Sequence, residues 1–172
     1  MGSSTYYTST RIKSLKSAAD SWVDTLDVKW DIAACWHLPL SDLIGDIDQV
    51  EIAVGKKMRR YFNLLDRRTF KARHKRGYRI QRFITLEHAA SVGWHVHGIL
   101  ATPTHLSRED LIELTKTTWL DCVDGERVSL PKTRLAWCEP IEDRYAQYTT
   151  KQSFGPLQNA KGTIDVLNTY FG

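Results

Sequence analysis

Two strand-like runs joined by a short link constrain the fold of this chain more than any other feature. Residues 79–88 and 94–101 are rich in β-branched and aromatic side chains, and the five residues Ala89-Ala90-Ser91-Val92-Gly93 join them. A link of that length closes a hairpin, so the two strands pair antiparallel. The second run, Trp94-His95-Val96-His97-Gly98-Ile99-Leu100, sets its two histidines two residues apart. Residues two apart on a strand share a face, so His95 and His97 project together.

The rest of the chain reads as helices and strands around this hairpin. Ile12, Leu15, Ala18, Ala19, Trp22 and Leu26 have helical spacing over residues 10–26. Residues 30–38 read as a strand ended by Pro39. Leu43, Ile47, Val50, Val54, Met58, Phe62 and Leu65 recur at three and four residues and predict a helix over 41–65, weakened by Gly45 and Gly55. Ser107 followed by Asp110 resembles a capping box and predicts a helix over 107–120. A turn at Asp124-Gly125, a strand over 134–141 and a helix over 143–152 follow, and Gly155-Pro156 ends the last. Ile164, Val166, Leu167, Tyr170 and Phe171 give the tail enough apolar surface to dock as a short helix or strand. The order α-β-α-β-β-α-β-α predicts an α+β fold, a central antiparallel sheet flanked by helices. One domain is expected over residues 1–172, with its core at 30–152 and a tail at 153–172.

The 172 residues are 42% hydrophobic and 26% charged, ordinary values for a globular protein with one substantial core. No apolar run approaches the roughly 20 residues that span a bilayer, and the N-terminus lacks the basic-then-apolar pattern of a secretory leader. Cys35, Cys122 and Cys138 are odd in number and widely spaced, which points to reduced thiols and a cytoplasmic protein. Net charge is +4, but its distribution matters more. Lys56, Lys57, Arg59, Arg60, Arg67, Arg68, Lys71, Arg73, Lys75, Arg76, Arg79 and Arg82 face one acid in that interval, Asp66. Such a block suits a polyanionic partner, although a solvated basic helix has the same composition.

Two constellations carry chemistry. His95 and His97 can share one metal ion, and Glu87, across the hairpin turn, can supply a third donor to it. His88 is the alternative third ligand; it falls on the opposite face of an ideal strand from Glu87, so a bulge would be needed to exchange them. The second constellation is Tyr145-Ala146-Gln147-Tyr148-Thr149-Thr150-Lys151 on the predicted helix over 143–152. Tyr148 and Lys151, three apart, share a face there. A phenol is a poor nucleophile at neutral pH, and a nearby ammonium together with a metal-polarised phosphate would remedy that. Tyr145 is the second choice. Taken alone, such tyrosines more often pack a helix onto a sheet.

Two histidines flanking a hydrophobic residue on a strand, followed some fifty residues later by a helical Tyr-x-x-Lys, resemble the HUH endonucleases. That superfamily includes the initiators of rolling-circle replication, plasmid relaxases and transposases. The resemblance covers about residues 30–152, and Gly93-Trp94-His95-Val96-His97 is especially similar to the motif of plasmid-type initiators. It implies an RRM-like palm in which His95, His97 and Glu87 hold Mg²⁺ or Mn²⁺. Tyr148 would attack a phosphodiester of single-stranded DNA at an origin sequence or hairpin, leaving a 5′-phosphotyrosine link, and Lys151 would position or polarise the reacting groups. The basic residues from Lys56 to Arg79 would track the DNA backbone, and Trp94 or Trp36 would stack bases. No nucleotide-binding GxxxxGK[ST] motif is present, so unwinding would fall to a host helicase or another partner, and no membrane is implicated.

The chain departs from the pattern in two places. Many two-tyrosine members space their tyrosines by four, and here the spacing is three. The early strand motif is poorly matched by Ala33-Ala34-Cys35-Trp36-His37, where His37 reads as a surface or core histidine before a DNA contact. The rival accounts are a relaxase or transposase with the same chemistry and a catalytically silent nucleic-acid-binding module. A histidine-triad hydrolase would need a histidine where this chain has Ile99. The late position of Tyr148 favours replication initiation on a plasmid, phage or virus.

Overall fold

The structure is a computed structural model that describes residues 21, 25–39, 47–89, 93–128, 130–141, 162–164 and 168–171. Its elements are β1 (Ile32–His37), α1 (Ile47–Phe70), a 3-10 helix (Lys71–Arg76), β2 (Arg82–Ala89), β3 (Gly93–Leu100), α2 (Arg108–Cys122), β4 (Ala136–Pro140) and β5 (Gly162–Ile164). A second 3-10 turn, Lys132–Arg134, leads into β4. The expected hairpin forms, with Ala89 paired to Gly93 at its closed end. The helices expected over 10–26 and 143–152 fall almost wholly outside the described residues.

The five strands form one antiparallel sheet in the order β4-β1-β3-β2-β5. The first four strands and two helices run β-α-β-β-α-β, with β3 inserted between β1 and β2, which is the ferredoxin-like, split βαβ arrangement. The fold is therefore α+β, as expected, with the tail adding β5 at the outer edge of β2. Tyr170 extends that docking through a two-way backbone bridge with Arg82.

Strand alternation sorts the sheet into two faces. Ile32, Ala34, Trp36, Ile84, Leu86, Val96, Leu100 and Cys138 join the main core with Val50, Val54, Met58, Tyr61, Phe62 and Leu65 of α1 and Leu111, Trp119 and Cys122 of α2. Both helices thus pack on one face. At the centre of the core, the Trp36 indole N–H donates to the Tyr61 hydroxyl (3.1 Å), which donates to the Thr115 carbonyl (3.2 Å). The chain satisfies these two buried polar groups without water. On the other face Phe83 and Ile99 form a small apolar cluster, with Trp30, Ile141 and Phe171 packed against it.

Helix α1 continues five residues beyond the expected Leu65. Buried Thr69 and Phe70 carry the apolar stripe another turn, and Arg67 and Arg68 in the last turn complement the helix dipole. The expected Ser107 cap of α2 is present: the Asp110 N–H donates to Ser107 Oγ (3.0 Å), and that hydroxyl donates to the Asp110 carboxylate (2.6 Å). Strand β2 begins at Arg82, three residues later than the sequence suggests, because the Ile80 N–H is bonded to the buried carboxylate of Asp66 (2.9 Å) and not to the sheet.

Gly98 faces the core directly behind His97. A Cβ built there would lie 2.7 Å from Ile84 Cδ1 and 2.8 Å from the Trp36 ring. Gly55, within α1, has open space around its Cβ position. Gly98→Ala is expected to destabilise the protein by about 1–3 kcal/mol through overpacking, whereas Gly55→Ala stabilises it by up to about 1 kcal/mol through helix propensity. Urea unfolding curves of the two variants check this opposition in sign.

Candidate metal centre

The face of the sheet turned away from the helices carries the candidate site. Antiparallel register sets Glu87 opposite His95, and His95 opposite His37. The next row on that face is Trp137, Cys35, His97 and Thr85, each paired with its neighbour across the strands. The central strands β1 and β3 therefore present His37, His95 and His97, and β2 presents Glu87 beside them.

Glu87, His95 and His97 are all buried, with 1%, 4% and 8% of their surfaces exposed. One Glu87 carboxylate oxygen lies 3.6 Å from His97 Nε2 and 3.9 Å from His95 Nε2, and the three donor atoms fall within 4.8 Å of one another. The two imidazoles meet edge to face, with ring centroids 4.8 Å apart. Two donors on one ion at about 2.1 Å cannot be more than about 4.2 Å apart, and both Glu87–histidine separations already satisfy that limit. The group can hold a metal ion. A carboxylate with two imidazoles fits a first-row divalent cation, or Mg²⁺ with water completing its shell.

Electrostatics keep at least one ligand ready. Burial, and then the neighbouring His95 and His37, push the His97 pKa down to about 3. His97 is therefore neutral at physiological pH, and a cation meets no proton there. Burial and His95 likewise lower the His37 pKa. Burial and the charge of Glu87 push the Cys35 thiol up to about 12, so it stays protonated and is a poor metal ligand despite its place next to His97.

Each residue expected at the site has a definite outcome. Glu87, His95 and His97 come together as the hairpin register requires. His88 is paired with Trp94, and its side chain is not among those described. Tyr145, Tyr148 and Lys151 lie outside the described residues. Trp36 is fully buried under the helices, so the expectation that it stacks bases is corrected. Trp94 packs against the same core from one residue before His95, on the helix side of β3. His105, for which the sequence offers no partner, bonds the Thr69 carbonyl at 3.0 Å. Sequence reasoning missed Trp137 on this face, because nothing in its neighbours separates it from a core tryptophan.

The basic block lies on the opposite layer. Lys56, Arg59, Arg60, Arg67, Lys71, Arg73, Lys75 and Arg76 are exposed on α1 and its 3-10 extension. Lys57 pairs with Glu126, Arg68 with Asp121, and Arg79 with Asp66. Asp66, the block's single acid, is fully buried: Arg82 reaches its two oxygens at 3.1 and 3.0 Å. The charged side chains that the block itself exposes are thus all cationic, and they lie on the helix side of the sheet, opposite Glu87, His95 and His97.

No protein-family model and no curated protein matches the chain. No described helix is long and apolar enough to cross a membrane, and Cys35, Cys122 and Cys138 are free thiols buried in the fold.

The depressed His97 pKa has a consequence for the metal-free protein. Unfolded histidine takes up a proton near pH 6.5, and folded His97 does so only near pH 3, so the unfolded state binds more protons in between. Stability contributed by neutral His97 is complete above about pH 6.5 and is lost as pH falls toward 3. In EDTA, the unfolding temperature is expected to drop between pH 7 and pH 4, and less steeply in His97→Asn; equal slopes would contradict this assignment.

Proposed function

We propose that this chain nicks and rejoins single-stranded DNA by the HUH mechanism, using a divalent metal and a tyrosine nucleophile, to initiate rolling-circle replication of a plasmid, phage or virus. One observation carries the reading: a buried carboxylate and two imidazoles converge at the centre of a sheet face that both described helices leave uncovered. The sequence supports it with Tyr148-x-x-Lys151 late in the chain.

When bound, Mg²⁺ or Mn²⁺ supplies positive charge that polarises the scissile phosphate and stabilises its non-bridging oxygens as the bond order changes. Glu87, His95 and His97 would hold it from one side. The Tyr148 oxygen attacks phosphorus in line, the P–O3′ bond breaks, and the phenolic proton is lost as the departing 3′ oxygen gains one. The products are a 5′-phosphotyrosine and a free 3′-OH. Lys151, three residues from Tyr148 in the sequence, would lower the cost of the developing phenolate. The new ester retains the energy of the one it replaced, so attack by a 3′-OH reverses the step and joins strands.

Incubating the protein with Mn²⁺ or Mg²⁺ and a randomised single-stranded oligonucleotide pool is expected to give a covalent adduct on a denaturing gel. EDTA and Tyr148→Phe each abolish the adduct, while Tyr148→Phe still binds DNA. Loss with Tyr145→Phe instead moves the nucleophile by three residues and keeps the mechanism. DNA binding with no adduct and no metal affinity would make the chain a silent binding module and refute the proposal.

A further inference from the structure

A cavity of about 650 Å³ opens beside the metal ligands and runs around the first residues of β4. His97, His37 and Cys35 form its inner wall, Trp137 its rim, and Arg134 and Lys116 its far side. We infer that this cavity is a nucleotide-binding cleft, in which the base next to the metal-bound phosphate stacks on Trp137 while Arg134 and Lys116 hold the adjoining backbone phosphate. The inference rests on the proposed function of the metal centre and names the part of the chain that would seat its substrate.

Trp137 is 38% exposed, one of three described large hydrophobic residues left open to solvent. Its ring is not loose, because the indole N–H donates to Glu139 two residues along the strand at 2.8 Å. A pre-oriented aromatic face is what a stacking platform needs, since little side-chain entropy remains to be lost. The residue is also correctly placed. Trp137 pairs with Cys35, and Cys35 with His97, so two strand spacings, about 10 Å, separate it from the ligand. That span is comparable with one nucleotide, from its phosphate to its base.

The charge around the cavity selects for a phosphate-bearing ligand. Among the described residues Arg134 and Lys116 form no ion pair and no carboxylate lines the cavity. Both cations are remote in sequence from the α1 block: Arg134 stands just before β4, and Lys116 lies on α2, so the cavity reaches it around the β4 edge of the sheet. An aromatic face, two cations and a metal centre in one cleft fit a base and its phosphates better than a peptide or an uncharged metabolite.

The test measures anisotropy of a fluorescein-labelled twelve-thymidine strand with the full chain in EDTA, which removes the metal centre from the measurement. Trp137→Ala is expected to weaken binding about tenfold, as loss of one base–aromatic stack does, and Trp137→Phe to restore it to within about twofold of the parent. The double variant Lys116→Ala/Arg134→Ala lowers the slope of log affinity against log salt by about 0.7 to 1.4, the release expected for one or two phosphates of a single strand. Thermal unfolding of each variant shows whether its fold is intact. Parent-like affinity and salt slope in the Trp137→Ala and double variants, with the parent binding the strand, would overturn the cleft and leave the metal-centre reading standing. Equal losses on a duplex of the same length would also overturn it, because duplex bases are not available to stack. Failure of the parent to bind the strand at all would overturn the cleft and the DNA reading together.

Discussion

The pairing of β2 with β3 fixes this structure's chemistry. Because strand side chains alternate with a period of two, a single register decides four pairings at once: Glu87 meets His95, Thr85 meets His97, and the pairs Leu86–Val96 and Ile84–Gly98 turn inward beneath the helices. A slip of one residue would bury the histidines under α1 and expose the core. Gly98 guards that register from behind, since its missing Cβ is where the Trp36 ring and the Ile84 side chain close over the strand. The packing that stabilises the fold and the geometry that gathers the ligands are opposite faces of the same eight residues, Gly93–Leu100.

That dependence explains what could be read from the sequence. The hairpin and the convergence of His95 and His97 were legible because a short link closes a hairpin and residues two apart on a strand share a face, while His88 stayed open as the alternative to Glu87. The Ser107 cap, the α1 stripe and the α+β class were legible for similar local reasons. Long-range placement was not. Trp36, Trp119 and Trp137 sit in comparable apolar or mixed surroundings in the chain, yet two are fully buried and one stands open at an edge strand, a difference set by which strands become neighbours. Composition located the basic block but could not say that it coats the layer opposite the metal ligands. Asp66 gave a partial signal: it sits on the buried side of α1, one residue after Leu65, and its partner Arg82 lies sixteen residues on.

The two cationic regions follow from this layering. Exposed arginines and lysines of α1 and its 3-10 extension present a broad positive surface on the helix side, and the buried Asp66 is taken up by Arg79 and Arg82. Arg134 and Lys116 are few and local, and they line the cavity that His97 also lines. A surface of the first kind raises affinity for any polyanion in a salt-dependent way, and a pair of the second kind positions one phosphate. On the proposed reading, the helix layer would hold a longer DNA while one strand is cut at the other.

The central claim is that Glu87, His95 and His97 grip one divalent cation. Crystals soaked in Mn²⁺ and measured for anomalous scattering test it most directly. The account predicts one strong peak about 2.0–2.3 Å from a Glu87 carboxylate oxygen and from a ring nitrogen of each histidine, absent in His97→Ala crystals. A peak elsewhere, or one that survives His97→Ala unchanged, would contradict it.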